Sequence, residues 1–145
     1  AVLGADPRAS ILFTGPHGYV SPNHAGRRNW GPTWNYAQVC VQADITVEPE
    51  LTASAVDQLV EHVERGMPQP WRAHELGERY GMLMPHIVGF RARVVSHNAV
   101  FKLGQTEDVP TLRSILRTLQ DRTLTSWMRR LNTNHPGARE YDHGA

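Results

Sequence analysis

The chain has 145 residues, with 15 Lys+Arg, 14 Asp+Glu, 8 His and one Cys, and a formal net charge of +1. This length and a hydrophobic content of 40% are typical of one globular domain and exclude a disordered chain. The near-neutral charge argues against a dedicated nucleic-acid binder, and no stretch approaches the roughly 18 apolar residues of a membrane span. The single cysteine, Cys40, excludes an internal disulfide and a thiolate zinc cluster. With no secretory signal visible, we expect a cytoplasmic protein.

The first third of the chain predicts two strands separated by a polar loop. Residues 10–14 form a short apolar run that ends at Gly15-Pro16, which predicts a buried strand entering a turn. From Thr33 to Val47 the side chains alternate with a period of two, which predicts a long strand. One face of that strand carries Asn35, Ala37, Val39, Val41, Ala43, Ile45 and Val47.

The remainder predicts helices and a hairpin. Apolar residues at helical spacing predict a helix that begins at Thr52 or Ser54 and ends before Gly66, and a shorter helix is expected over residues 73–83. Residues 87–103 are typical of a hairpin that turns at residues 96–98. Two apolar stripes then predict C-terminal helices: Leu112, Ile115, Leu116 and Leu119, followed by Leu124, Trp127, Met128 and Leu131.

This order of elements predicts an α+β fold or a small barrel with added helices. A closed barrel needs about six strands, and the pattern supplies fewer. We therefore expect the sheet to be completed by a second chain or by a part of the protein that is absent from the sequence. We expect a single domain over residues 1–131 and a flexible tail over residues 132–145.

The densest group of chemically versatile side chains lies between residues 15 and 36. Two Gly-Pro pairs constrain the backbone on both sides of a polar loop and can hold His17, Tyr19 and Trp34 in defined positions. Aromatic faces beside hydrogen-bonding groups suit a flat conjugated cofactor. The alternative is a rigid turn whose aromatic rings pack into a core.

The eight histidines match no standard metal spacing. His17 and His86 adjoin prolines that constrain their backbones, which makes them the best candidates for a single metal ligand. Lys102, the only lysine, could meet a carboxylate or a phosphate, or could be an ordinary exposed lysine. Cys40 has no neighbouring histidine to activate it and is expected to be inert.

Five short motifs together resemble one known family. They are Gly15-Pro16-His17-Gly18-Tyr19-Val20-Ser21-Pro22, Pro32-Thr33-Trp34-Asn35-Tyr36, Pro70-Trp71, Ile87-Val88-Gly89-Phe90 and Lys102-Leu103-Gly104-Gln105. In this order they resemble the PaiB-like proteins, described as FMN-binding transcriptional regulators. The resemblance implies a split β-barrel that forms a homodimer and holds its cofactor at or near the subunit interface. It also implies N-terminal strands that have no counterpart in this sequence, so a missing N-terminal segment or the second subunit would complete the barrel.

The chain departs from the PaiB-like pattern at several positions. Asn23-His24 replaces an aromatic pair, His86 replaces a small or apolar residue, and Gly104 replaces a serine. One PaiB-like branch that is similar in sequence binds heme: the piperazate synthases, which cyclise N-hydroxyornithine to piperazic acid by forming an N–N bond. The many histidines and the arginine-rich composition favour this branch.

The heme-dependent reading predicts a metal site at His17, with heme b as the cofactor and His86 as the second candidate ligand. Tyr19, Trp34, Asn35 and Tyr36 would line the cofactor. Arg91 and Lys102 are the expected catalytic residues, because an arginine or lysine would hold the carboxylate of a small amino-acid substrate. The alternative is an FMN-binding regulator or flavin-binding module. We expect neither direct nucleic-acid binding nor membrane association.

Overall fold

The computed structural model describes residues 6–139. These residues form two compact units. The first unit comprises residues 6–10 and 42–96. The second unit comprises residues 11–41 and 97–139. The expectation of a single domain over residues 1–131 remains a prediction.

Three strands form one antiparallel sheet in the order β1-β2-β3. They are β1, Arg8–Val20; β2, Thr33–Val47; and β3, Phe90–Lys102. The helices of the described residues are α1, Pro22–Ala25; α2, Thr52–Glu64; α3, Glu78–Leu83; α4, Val109–Thr118; α5, Arg122–Leu131; and α6, Pro136–Arg139. Short 3₁₀ turns cover Pro49–Leu51, Ala73–Leu76 and Met84–His86. None of the described helices is both long and apolar enough to cross a bilayer.

Strand β2 has the bounds that the sequence predicts, because its period-2 pattern is unbroken over fifteen residues. Strand β1 differs from the prediction. It continues through Gly15-Pro16 instead of ending there, and the predicted buried run is largely exposed, with Leu12 at 57% and Phe13 at 58%. An edge strand tolerates a proline, since the missing N–H costs it no ladder hydrogen bond on its outer side.

The predicted hairpin over residues 87–103 is wrong. Strand β3 runs without a turn through Ser96, His97 and Asn98. Tight two-residue hairpin turns need positive φ angles, and within residues 6–139 only glycines have them. A polar triplet without glycine therefore does not interrupt a strand that can pair along the full length of β2.

In the first unit, a hydrogen bond joins the start of α2 to the segment before β3. The backbone N–H of Gly89 donates to Oγ1 of Thr52 across 2.8 Å, and both groups are buried. A Cβ atom on Gly89 would lie 2.6 Å from the Thr52 nitrogen, so only glycine fits. Helix α2 confirms the predicted helix, although the predicted apolar residues Leu59 and Val63 are exposed in this unit.

The core of the second unit is made by α4 and α5 together with residues of the strands. Asp108 and Asp121 cap these helices by accepting the backbone N–H groups of Thr111 and Leu124. The predicted stripes are confirmed in large part, but Trp127 and Leu131 stay exposed. The buried apolar residues are Val20, Ala25, Ala37, Leu103, Leu112, Ile115, Leu116, Leu124, Met128 and Ala138.

The segment after α5 packs against this core as far as the structure describes it. The buried amide of Asn132 donates to the carbonyl oxygens of Leu103 and Met128 across 3.0 and 2.8 Å. Ala138 of α6 is buried as well. Asn132 and Ala138 of the predicted flexible tail are thus buried, and residues 140–145 lie outside the described residues; the flexible tail over residues 132–145 remains a prediction.

These elements confirm a mixed α+β fold. The open three-stranded sheet is consistent with a split barrel, which remains a prediction.

Candidate functional site

Four side chains of the second unit form an aromatic cluster, which we define as His17, Tyr19, Trp34 and Tyr36. The rings of His17 and Trp34 stack, with centroids 6.1 Å apart and 25° between their planes. The ring of Tyr19 is tilted by 52° against Trp34 at a centroid distance of 6.3 Å. Trp34 is 51% exposed and Tyr19 is 50% exposed, so both rings offer surface to a ligand.

The backbone explains why these rings share one side of the sheet. On β2, Asn35 and Ala37 are buried, so Trp34 and Tyr36 point to the opposite face. On β1, a Cβ atom at Gly15 or at Gly18 would face α5, lying 3.8 Å from Trp127 and 3.0 Å from Leu124 respectively. In a regular strand, residues three apart point to opposite faces. Since Gly15 and Gly18 both face α5, the alternation of side chains shifts by one residue between them.

A shallow cleft of about 230 Å³ adjoins the aromatic cluster. Pockets that enclose a drug-sized ligand measure roughly 300–1,000 Å³, so this cleft alone would hold only part of a cofactor. It is lined by Thr14, His17, Trp34, Tyr36, Ala37 and Gln38.

Asn35 lies on the other face of β2, at 2% exposure. Its Nδ2 donates to the sulfur of Met128 on α5 across 3.6 Å. Asn35 therefore joins β2, the strand that carries Trp34, to a helix of the core. The same residue also lines a second cleft.

This second cleft, of about 220 Å³, lies where β3 ends. Lys102 lines it, and its Nζ donates to Oγ1 of Thr33, the residue before Trp34. The rest of the motif builds the loop: Gln105 accepts the backbone N–H of Leu103 across 2.6 Å and donates to the carbonyl of Phe101. Gly104 has a φ of 86°, a left-handed conformation that favours glycine.

His86 and Arg91 belong to the first unit. His86 is exposed and ends the 3₁₀ turn Met84–His86. The guanidinium of Arg91 meets both carboxylate oxygens of Glu48, through Nε at 3.1 Å and Nη2 at 3.2 Å. Hydrogen bonding to Glu48, followed by the charge of Glu48, raises the pKa of Arg91. The expected roles of these two residues in a site remain predictions.

No group of three or more histidine, cysteine, aspartate or glutamate side chains with metal-site geometry occurs among residues 6–139. The expectation that His17 alone ligates a metal remains a prediction.

Sequence reasoning missed two histidines with structural roles. Nδ1 of His24 accepts the N–H of Ser21 across 3.1 Å in the capping box of α1. His135 accepts the N–H of Gly137 at Nδ1, while its Nε2 lies 2.9 Å from the carbonyl oxygen of Glu107. The short spacing from Ser21 to His24 is a signal for the first; no sequence signal indicates the second.

Two comparisons with known proteins give a match to this chain. A family model described as "Putative FMN-binding domain" matches residues 1–96. The Bacillus subtilis (strain 168) protein "Protease synthase and sporulation protein PAI 2" is 27% identical over 113 residues, which is 77% of this chain and 54% of that protein. The chain thus spans about half the length of this curated relative.

Proposed function

This chain belongs to the PaiB-like family of FMN-binding domains, and we propose on that premise that it is an FMN-binding module whose aromatic cluster receives the flavin ring. The observation that carries the proposal is the half-exposed Trp34 ring, stacked on His17 and flanked by Tyr19. A tricyclic conjugated ring gains most from such flat aromatic surface, because offset stacking adds to the burial of apolar area.

The residues present fit FMN in chemistry as well as in shape. Trp34 and Tyr36 provide ring faces, and the hydroxyl of Tyr19 and the imidazole of His17 provide hydrogen-bonding groups at the rim. Asn35 holds the strand that carries the rings, through its bond to Met128. When bound, FMN supplies hydride or single-electron transfer, while the protein's part is to bind, orient and shield the ring.

A heme-dependent enzyme that forms an N–N bond is the other function expected from the sequence. The family and the relative support the FMN-binding alternative better, and neither supports heme. We therefore assign His17 to ring stacking, for which its geometry with Trp34 is direct support, rather than to iron ligation.

We also propose that the module acts as a homodimer. The 230 Å³ cleft is too small to enclose a flavin, and Leu12 and Phe13 of the same unit are exposed. Exposed apolar surface next to an incomplete site is typical of an interface. Sedimentation velocity with and without FMN tests this: we expect a dimer, and a monomer at saturating FMN would contradict it.

The FMN proposal is tested by titrating FMN and following the quenching of flavin fluorescence. Trp34→Leu should weaken binding by about tenfold or more, since it removes the central stacking surface. Trp71→Leu is the matched control, because Trp71 is a partly exposed tryptophan of the first unit. Equal FMN affinity in the two variants would refute the site, and absence of FMN binding by the wild-type chain would refute the function.

A further inference from the structure

We propose that an apolar cleft of the second unit binds an aromatic carboxylate, at a site separate from the aromatic cluster. The cleft has a volume of about 340 Å³ and is lined by Phe101, Leu103, Trp127, Arg130 and Leu131. We call it the Trp127 cleft. The inference goes beyond the proposed FMN-binding function and does not depend on it, because none of these residues belongs to the aromatic cluster.

Helix α5 presents part of its apolar stripe to this cleft. Trp127 is 39% exposed and Leu131 is 45% exposed, whereas Leu124 and Met128 of the same stripe are fully buried. The buried pair anchors the helix to the core, and the exposed pair forms a wall of the cleft. Apolar surface in a concave site favours binding, because a ligand that covers it removes it from water.

The cleft offers preformed aromatic surface. The rings of Phe101 and Trp127 have centroids 6.4 Å apart and planes tilted by 39°. The indole ring of Trp127 lies against β1, since a Cβ atom at Gly15 would be 3.8 Å from its Cη2. A further aromatic ring can pack against this pair. The volume of the cleft also falls within the range of roughly 300–1,000 Å³ that is typical of small-molecule pockets.

The Trp127 cleft and the aromatic cluster lie on opposite sides of β2. The Cβ position of Gly15, next to Trp127, is 3.2 Å from Cβ of Ala37, which belongs to the buried face of β2. Trp34 and Tyr36 point to the other face of that strand. A ligand in the Trp127 cleft therefore leaves the stacking surface on Trp34 free.

Arg130 brings a charged group to the lining of the cleft, and its side chain is exposed. Within residues 6–139 its guanidinium has no ion pair. The neighbouring Arg129 differs, because its Nη2 donates to the carbonyl oxygen of Leu116 across 3.0 Å. The two adjacent arginines thus have separate roles: Arg129 joins α5 to α4, and Arg130 is available to a ligand.

The chemistry of the lining indicates the class of ligand. A guanidinium presents a planar fork of donors that matches a carboxylate through two parallel hydrogen bonds. One guanidinium beside two aromatic rings suits a single carboxylate on an aromatic body. The lining contains no acidic side chain. The second unit carries nine Lys+Arg and three Asp+Glu over residues 11–41 and 97–139, and this positive sign favours an anion.

The test compares 1-naphthylacetate with 1-naphthylacetamide, which have the same ring and differ in charge. Equilibrium dialysis against the wild-type chain should give a dissociation constant on the order of 1 mM or lower for the carboxylate. The amide should bind roughly three- to tenfold more weakly, as expected for one exposed ionic contact. Acetate, which lacks the ring, should not compete at the same concentration; competition by acetate would overturn the role of the aromatic rings.

Two variants separate the charge from the ring surface. Arg130→Gln should weaken binding of the carboxylate to the level of the amide and leave the amide unchanged. Arg122→Gln is the matched control, because Arg122 is an exposed arginine of α5 outside the lining, and it should keep the preference. Trp127→Leu should weaken binding of both compounds. Thermal unfolding without ligand shows whether that variant is folded, and the result for Arg130→Gln does not depend on it.

Several outcomes would overturn the site while leaving the FMN-binding proposal intact. They are binding of neither compound by the wild-type chain, equal affinity for the two, and an unchanged preference in Arg130→Gln. Saturating FMN should leave binding of 1-naphthylacetate unaffected, and displacement by FMN would contradict a separate site. Sedimentation velocity tests a second copy of this chain as the occupant: a wild-type dimer that becomes a monomer in Trp127→Leu would assign the cleft to that copy and overturn the proposal.

Discussion

The amide of Asn35 donates a hydrogen bond to the sulfur of Met128, and this 3.6 Å contact ties the strand that carries Trp34 to helix α5. Both residues are fully or almost fully buried in the second unit. Asn35 lies between the two aromatic residues of β2 and thus anchors them to the core, which gives the aromatic cluster a rigid support.

Replacing Asn35 by aspartate should destabilise the protein by about 3 kcal/mol at neutral pH, because it buries a carboxylate beside an uncharged sulfur. Burial raises the pKa of such a carboxyl above its unfolded value, so the loss should shrink as the pH falls and the group becomes protonated. Urea unfolding at pH 7 and pH 5 measures this. Asn35→Leu is the control of similar size; equal losses for the two variants at both pH values would argue against a charge effect.

Replacing His17 by alanine should weaken FMN binding by roughly three- to tenfold, the range expected from one lost aromatic partner. The residue stacks directly on Trp34. Equilibrium dialysis against FMN measures the change. His62→Ala on the exposed face of α2 serves as the control, and an equal loss in the control would exclude a specific role for His17.

Replacing Gly89 by alanine should destabilise the first unit by about 1–3 kcal/mol, the usual cost of overpacking. The added Cβ would lie within 2.9 Å of three atoms of Thr52 and cannot be accommodated without moving the start of α2. Gly81→Ala on α3 is the matched control, since nothing lies within 4 Å of its Cβ position. It should be neutral or stabilising. Thermal unfolding distinguishes the two, and equal melting temperatures would contradict the close packing at Gly89.

The cap of α4 predicts how stability depends on pH. Hydrogen bonds from the side chain and backbone of Thr111, assisted by Arg27, hold the pKa of Asp108 below its ordinary value of 3.8. Its contribution is therefore present above pH 3.8 and is lost as the pH falls through the lower pKa of the folded state. The stability difference between wild type and Asp108→Asn should narrow over that acidic range; a difference that widens there would contradict the assignment.

The cap of α5 can be tested at neutral pH. Asp121→Ala should cost about 1 kcal/mol, the typical value for a lost N-cap. The carboxylate of Asp121 accepts the N–H of Leu124 across 2.9 Å. Asp121→Asn keeps an acceptor and is the control, and an equal loss in both variants would show that the cap hydrogen bond does not account for the effect.

The sequence predicted correctly those elements whose formation depends on residues close to one another in the chain. Strand β2 and the two C-terminal helices, α4 and α5, follow from the alternation between Thr33 and Val47 and from two apolar stripes at helical spacing, so the sequence was sufficient for them. The hairpin at residues 96–98 failed because continuous pairing with β2, a long-range interaction, determines the course of β3.

In the candidate site, too, features with a local sequence signal were predicted, whereas contacts between distant residues were not. The motif around His17 and Trp34 correctly indicated side chains that the fold brings together. Alternation already placed Asn35 on the face opposite Trp34, yet its bond to Met128 joins residues 93 positions apart and has no local signal. The contact between Lys102 and Thr33, 69 positions apart, depends on the meeting of two strand ends and was likewise invisible in the sequence.

Parallel absorption titrations of the wild-type protein, one with FMN and one with hemin, test the central claim most directly. An FMN-binding module should perturb the flavin bands with saturation at one FMN per chain, and Trp34→Leu should reduce that perturbation. Unperturbed flavin bands, together with a heme Soret band that His17→Ala abolishes, would contradict FMN binding and restore the heme-dependent enzyme.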